Sequence, residues 1–275
     1  MTKTWNQEVF SKIVCPECAG GIDLVRNECG CGHYSIVNNV IIAGLRDNPE
    51  MACRDKQASG YVEHIKFPAQ LGAFLTWLRR AIKHDKAKIL ELGCGPGPYT
   101  AILLNEGHNT FSINFSRESL LINERSCGVQ EENRSRCFLQ EDLNNIIVPD
   151  VGFDVVVMAD FIQHLGGRLQ REVLLKKAID ALKPGGHFYL TFFNINIKNY
   201  LRGDVHGGFS SGQIRYERLT PENVIGSLPA KVNILSVRPM NIVNSVYWLD
   251  RLLSFMPGSK YFSRMIEITG TKNAD

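Results

Sequence analysis

Two hydrophobic patterns alternate along this chain. Short continuous apolar runs predict buried strands, and apolar residues recurring every three or four positions predict helices. The run Ile89-Leu90-Glu91-Leu92 ends in three glycines spaced two apart, Gly93, Gly95 and Gly97. It reads as a parallel strand that turns tightly into a helix over Tyr99–Leu104. Thr110-Phe111-Ser112-Ile113-Asn114-Phe115 reads as a second strand. Val155 to Ala159 is apolar throughout, as a strand buried on both faces requires. Within Ser59–Ala81, Phe67, Leu71, Phe74, Leu75 and Leu78 have helical spacing, and Pro68 suits the first turn of that helix. A further helix ends at Lys183-Pro184-Gly185-Gly186, after which Phe188-Tyr189-Leu190 begins another strand. The polar stretch 46–58 reads as a linker. Strands alternating with helices specify an α/β sheet.

The glycine turn is the first candidate for chemistry. Glycine tolerates positive φ and has no Cβ, so the backbone there can approach a ligand closely. A ligand at such a turn lies at the carboxyl end of the strand, against a helix N-terminus. The spacing is E-x-G-x-G-x-G rather than the dinucleotide fingerprint G-x-G-x-x-G. It resembles the first motif of class I S-adenosylmethionine (SAM)-dependent methyltransferases. The resemblance implies a Rossmann-like, mostly parallel sheet with an antiparallel edge strand. It places Glu91 near the cofactor's amino group, and Gly93, Gly95 and Gly97 beside its amino acid and ribose parts.

Four more stretches follow in the family's order. The second strand ends at Asn114, where the family usually carries an acid for the ribose hydroxyls. An asparagine accepts through its amide oxygen but cannot form the charge-assisted pair. Phe138-Leu139-Gln140-Glu141-Asp142-Leu143 is similar to the adenine-binding segment, with Asp142 facing the adenine amino group and the Leu143 amide reaching the ring. Asp142 lies 12 residues before Asp154, the expected spacing. Phe153-Asp154 through His164-Leu165 resembles the family's F-D-x-V…H-L motif, with Ala159 beside the cofactor and Asp160 and His164 just beyond. The Lys183-Pro184-Gly185-Gly186 turn is the last landmark. The same resemblance adds Tyr99 and Phe115 to the cofactor contacts.

The cysteines are unevenly distributed. Four of the eight fall within 17 residues, as Cys15-Pro16-Glu17-Cys18 and Cys29-Gly30-Cys31-Gly32-His33. In a reducing compartment such pairs suggest metal rather than disulfide. Two knuckles around a short hairpin suit tetrahedral, structural zinc, which supplies folding energy to a segment too short to bury a core. The ligands read as Cys15, Cys18, Cys29 and Cys31, with His33 the alternative fourth. Segment 13–45 resembles the zinc-ribbon module that opens many bacterial methyltransferases, and a small zinc-ribbon activator protein that partners some of them. The organisation expected is a zinc ribbon over 1–45, linker and capping helices over 46–88, and the methyltransferase domain over 89–275.

Acceptor residues in this family come from the N-terminal helices and from insertions late in the sheet. Tyr61, His64 and Phe67 are pocket candidates, with packing against the sheet the other reading. Residues 194–218 form a glycine-bearing insertion that suggests a lid and carries His206, Tyr200 and Arg202. His164 is a candidate base, or a structural histidine closing the turn after its strand; His206 is the second candidate base. Thr220-Pro221 reads as a helix N-cap followed by its first residue.

Net charge is +3, and the dense basic stretch is confined to Arg79–Lys88, which reads as a solvated helix face. Near-neutral charge and the apolar segments of 228–270 favour a small-molecule acceptor over RNA. An rRNA base methyltransferase gripping RNA through its ribbon is the alternative, and a non-catalytic SAM-binding scaffold is the third reading. No run reaches the roughly 20 apolar residues of a membrane helix, and no apolar leader opens the chain. A cytoplasmic location without membrane contact is therefore expected, and the sequence sets no oligomeric state.

Overall fold

A computed structural model describes residues 4–37, 40–44, 48–63, 68–127, 136–143, 146, 148–243 and 247–274. Among these, thirteen strands and nine α-helices follow in chain order. The N-terminal part holds α1 (Trp5–Phe10), β1 (Ile22–Asp23), β2 (Glu28–Cys29), β3 (Tyr34–Val37), β4 (Val40–Ala43), α2 (Pro49–Glu63) and α3 (Pro68–Ala81). The central part holds β5 (Lys88–Leu92), α4 (Pro98–Asn105), β6 (Asn109–Asn114), α5 (Arg117–Cys127), β7 (Arg136–Gln140), β8 (Phe153–Met158), α6 (Arg168–Asp180) and β9 (Leu182–Phe193). The remainder is α7 (Ile197–Arg202), β10 (Gly207–Ser210), β11 (Ile214–Glu217), α8 (Pro221–Ile225), β12 (Val232–Met240), α9 (Tyr247–Ser254) and β13 (Met265–Lys272).

Eleven strands form one sheet in the order β1-β2-β3-β4-β7-β6-β5-β8-β9-β13-β12. The run β4-β7-β6-β5-β8-β9 is parallel throughout. β13 and β12 close one edge antiparallel, as expected. Strand order reverses at β5, which places the ligand crevice of an α/β sheet at the carboxyl end of that strand.

Alternation along the strands decides which helix covers which face. Leu90, Leu92, Val156 and Met158 face a core shared with Trp5, Val9 and Phe10 of α1 and Leu174 and Leu175 of α6. Ile89, Val155 and Val157 face the other way, onto Phe74 and Leu78 of α3 and Tyr99 and Leu103 of α4. A period of two thus splits one apolar run between two helical layers.

The ribbon is built into this sheet. Its last strand pairs in parallel with β7, Val40 opposite Phe138 and Ile41 opposite Leu139. Ile13, Cys15, Ile22 and Tyr34 belong to the main core cluster rather than to one of their own. The Tyr34 hydroxyl donates to Glu141 just past β7, and the Trp5 indole donates to the Thr110 carbonyl at 2.9 Å.

Two expectations need correction. Most of the stretch read as a linker is helical, because Pro49–Glu63 forms α2; its weak amphipathicity hid it, and it packs on α5. The helix before the Lys-Pro-Gly-Gly turn ends at Asp180, and β9 begins at once with Leu182. Pairing with β8 jumps from Phe153–Leu182 to Val155–His187, so the turn residues bulge out of the ladder. The insertion 194–218 contains a helix and a hairpin, α7 and β10–β11. Among the described residues no helix is long and apolar enough to cross a membrane.

Candidate functional site

The glycine turn joins the carboxyl end of β5 to α4. Its three glycines serve different ends. A Cβ on Gly93 would stand 2.6 Å from the Phe161 ring, and one on Gly97 2.2 Å from the Asn123 amide oxygen. Both are therefore packing glycines. Gly95, at φ +54°, has nothing within 4 Å of the Cβ position. Its positive φ and the open space above it leave the backbone there free to approach a ligand closely.

Asn114, at the end of β6, leans on this turn. Its amide oxygen accepts from the Gly95 N–H at 3.3 Å, and its amide nitrogen donates to the Ser116 carbonyl at 3.3 Å. The sequence departure at this position thus becomes a brace for the loop.

Glu91 lies beneath the turn, 2% exposed. One carboxylate oxygen accepts from Thr100 at 2.6 Å and Ser112 at 2.8 Å. The other has no hydrogen-bond partner among the described residues. Burial raises the carboxyl to about 7, against the opposing pull of those hydroxyl donors. Asn123 donates to Thr100 at 2.8 Å and ties α5 into the same group.

The remaining predicted cofactor residues ring the ends of the strands. Asp142 follows β7 half-buried, with its N–H donating to the Glu141 carboxylate at 2.9 Å. Leu143 is buried next to it, Phe115 follows β6, and buried Ala159 follows β8. Tyr99, in the first turn of α4, is buried against Phe74 with ring centroids 4.9 Å apart.

A polar network beyond β8 was missed as a site by sequence reasoning. Asp160 has φ +58°, uncommon for a residue with a side chain. Its carboxylate accepts from the Thr191 hydroxyl and from the Gln70 amide at 2.6 Å. The same Gln70 amide donates to the Tyr99 hydroxyl at 2.7 Å, and Asn241 donates to Gln70 at 3.4 Å. Burial raises the Asp160 carboxyl. The acid immediately after a buried strand was a visible signal for Asp160. Gln70 and Asn241 had none, since 171 residues separate them.

His164 sits in a 3-10 turn and is fixed by tertiary contacts. Its Nδ1 lies 2.7 Å from the Arg215 carbonyl on β11. A carbonyl accepts only, so Nδ1 carries the proton and Nε2 is the basic nitrogen. Burial, then the nearby Arg54, lowers the imidazole to about 4. His206 lines a cavity of about 640 Å³ walled by α6 and the β10–β11 hairpin, which contains no residue of the glycine turn. Arg215, whose carbonyl contacts His164, lines the same cavity. His64, Phe67 and the side chain of Tyr61 lie outside the described residues.

The cysteine knuckles converge. The Sγ atoms of Cys15, Cys18, Cys29 and Cys31 all lie within 4.8 Å of one another. The Cys29–Cys31 and Cys15–Cys31 separations are 3.5 and 3.7 Å. The edge of a ZnS4 tetrahedron with bonds of about 2.3 Å is about 3.8 Å. The Tyr34 N–H donates to Cys29 Sγ at 3.2 Å, an arrangement that favours a thiolate. His33 stands outside the sulfur set.

Against known proteins, residues 90–190 match the family described as Methyltransferase domain. A ubiquinone biosynthesis O-methyltransferase of Vibrio parahaemolyticus is 25% identical over 115 residues, 42% of this chain and 47% of that protein. The chain thus spans about half the length of the curated relatives it matches. Among solved structures, an S-adenosylmethionine-dependent methyltransferase from Clostridium acetobutylicum superposes with TM-score 0.57 at 16% identity, over 80% of this chain and 99% of that one. The N-methyltransferase NodS from Bradyrhizobium japonicum, in complex with S-adenosyl-L-homocysteine, gives TM-score 0.57 at 12% identity, over 82% and 99%.

Proposed function

We propose, from the premise that residues 90–190 are a class I SAM-dependent methyltransferase domain, that this protein transfers a methyl group from SAM to a small-molecule acceptor. The observation that carries the reading is the turn at Gly95. A positive-φ glycine there faces open space at the strand-order switch of the sheet. Two features suit the cofactor. The unpartnered oxygen of buried Glu91 fits an ammonium group, and Asn114, whose amide oxygen braces Gly95, stands at the position the family uses for the ribose. Bound SAM supplies a sulfonium whose methyl is already activated for in-line displacement.

The protein's own task is then to bind, align and exclude water. Gly93, Gly95 and Gly97 shape the cradle, and Tyr99, Phe115, Asp142, Leu143 and Ala159 line its far end. Asp160, with Gln70 and Thr191, holds the loop after β8 in its positive-φ conformation, so that the acceptor meets a fixed wall. His164 presents an unprotonated Nε2 at neutral pH, but a pKa of about 4 makes it a weak acceptor for the proton of a hydroxyl or amine. Its contact with the Arg215 carbonyl also ties it to the hairpin, which supports the structural role.

Zinc in this reading is held by Cys15, Cys18, Cys29 and Cys31. Four thiolates leave no open position, which makes the metal structural.

Incubating the protein with methyl-labelled SAM and an extract of its source tests the function. Label in an extractable small-molecule fraction is expected. Label in ribonuclease-sensitive material would replace the acceptor class by RNA, and binding of SAM without transfer to any fraction would remove catalysis.

A further inference from the structure

We propose that the cavity of about 640 Å³ between α6 and the β10–β11 hairpin binds a small molecule carrying a carboxylate or phosphate group. The site is separate from the glycine turn, and its reading does not depend on methyl transfer. Arg168, Arg171, Arg215 and Arg218 line it, against a single lining carboxylate, Glu217.

The internal pairing does not exhaust these guanidinium groups. Glu217 bridges Arg171 at 2.6 Å and Arg215 at 2.7 Å. Arg168 uses its Nε on Glu172, and Arg218 uses two nitrogens on Asp204. Each guanidinium has five N–H donors in a fixed fork that matches carboxylate and phosphate oxygens. Several donors on each therefore remain for a ligand. Arg171 is 7% exposed and shares its one paired carboxylate, Glu217, with Arg215. Two guanidinium groups on one carboxylate leave a positive charge that a bound anion would balance.

The backbone adds to the same field. Arg168 and Arg171 occupy the first turn of α6, a 13-residue helix. Its N-cap is Gly167, with no capping side chain and no acid in the first turn. Two cations at the positive end of a helix dipole repel it, and an anion there relieves both. The cavity is also rigidly backed. The Tyr216 ring packs edge-on against Phe193 at 5.9 Å, and Phe193 packs against His164 at 6.3 Å. This wall gives an anionic molecule an aromatic surface for its body.

Thermal unfolding of the full chain tests the site, with inorganic phosphate and succinate as separate probes at constant ionic strength. Sodium chloride serves as the reference. The expected result is a concentration-dependent rise in midpoint with at least one probe beyond that of chloride. Its apparent affinity should fall at least about tenfold in the Arg168→Ala/Arg215→Ala double variant, the scale of losing charge-assisted hydrogen bonds. Both residues are exposed, so the fold should survive; Arg168→Glu alone repeats the test by charge reversal. A rise with phosphate alone identifies a phosphate-bearing ligand, and with succinate alone a carboxylate. No rise beyond chloride, or an equal rise in the variants, overturns the proposal.

Discussion

Two turn regions of the molecule stand on different supports. The knuckles of Cys15–Cys18 and Cys29–Cys31 lie at the edge of the sheet, beside strands β1 and β2 of two residues each. The turn at Gly93–Gly97 lies at its centre, between β5 and α4. Around the central turn, the Gly93 and Cys94 N–H groups donate to the Ile113 carbonyl, and buried strands on both sides fix its path. Around the knuckles, short turns such as Gly32 N–H to the Cys29 carbonyl at 3.0 Å do the local work. Four converging sulfurs add to the share of the main core that Ile13, Ile22 and Tyr34 provide. A backbone cradle can be prepared by packing alone, whereas a ribbon this small leans on its neighbour strand and, under the proposed zinc site, on a metal.

The largest expected effect separates the two supports. Cys29→Ser should cut the metal content from about one equivalent to near zero by elemental analysis. Metal binding of this kind contributes on the order of 10 kcal/mol to a small ribbon. Hydrogen exchange should show residues 13–37 losing protection while β5, β6 and β8 retain theirs. Equal loss across the sheet would mean that the ribbon and the centre fold as one unit.

At the centre, Gly95→Val should weaken S-adenosyl-L-homocysteine binding by about 100-fold or more in calorimetry, because the side chain fills the open space over the one turn glycine, of Gly93, Gly95 and Gly97, with no neighbour at its Cβ position. The metal content should not change. Unaltered affinity would sink the cofactor site.

The pH response of Glu91 sharpens the picture of the central support. Its folded pKa of about 7 lies above the ordinary value of 4.5. The folded state therefore holds the proton more tightly. This contribution is complete below about pH 4.5 and is lost as pH rises towards 7, amounting to roughly 3 kcal/mol. His164 runs the other way: its pKa falls from 6.5 to about 4, so its contribution is present above pH 6.5 and lost on acidification. Glu91→Gln should flatten the decline on the alkaline side in denaturant titrations and stabilise the protein at pH 8. A variant with the wild-type pH profile would show that Glu91 does not titrate there.

The smallest effect lies where the regions join. Tyr34→Phe removes the hydroxyl that donates to Glu141 and leaves a buried carboxylate oxygen without that donor. A loss of about 1–2 kcal/mol is expected by chemical unfolding, with metal content preserved. A change below about 0.3 kcal/mol would mean that strand pairing alone joins the ribbon to the sheet.

Local pattern made the centre of the molecule readable. The apolar runs of β5 and β8, the glycine spacing, the start of α3 at Pro68 and the cap at Thr220 all lie within a few residues of their signals. The cysteine quartet was legible for the same reason, since its members fall within 17 residues. Helix α2 was not, because its polar face pattern carries little periodicity and its stability comes from packing on α5.

Tertiary structure decided the rest. It extended the ribbon into the main sheet through β4 and β7, and it turned Asn114 from a missing acid into a brace for Gly95. It also joined Gln70, Tyr99, Asp160, Thr191 and Asn241 into one network, and set His206 in the wall of the cavity between α6 and the β10–β11 hairpin. The sequence by itself determined which segments become strand, turn and knuckle, because those choices rest on side-chain spacing and backbone freedom. Which polar groups meet, and which are buried with a partner, depends on strand order and on contacts far apart in the chain, and only the folded molecule sets those.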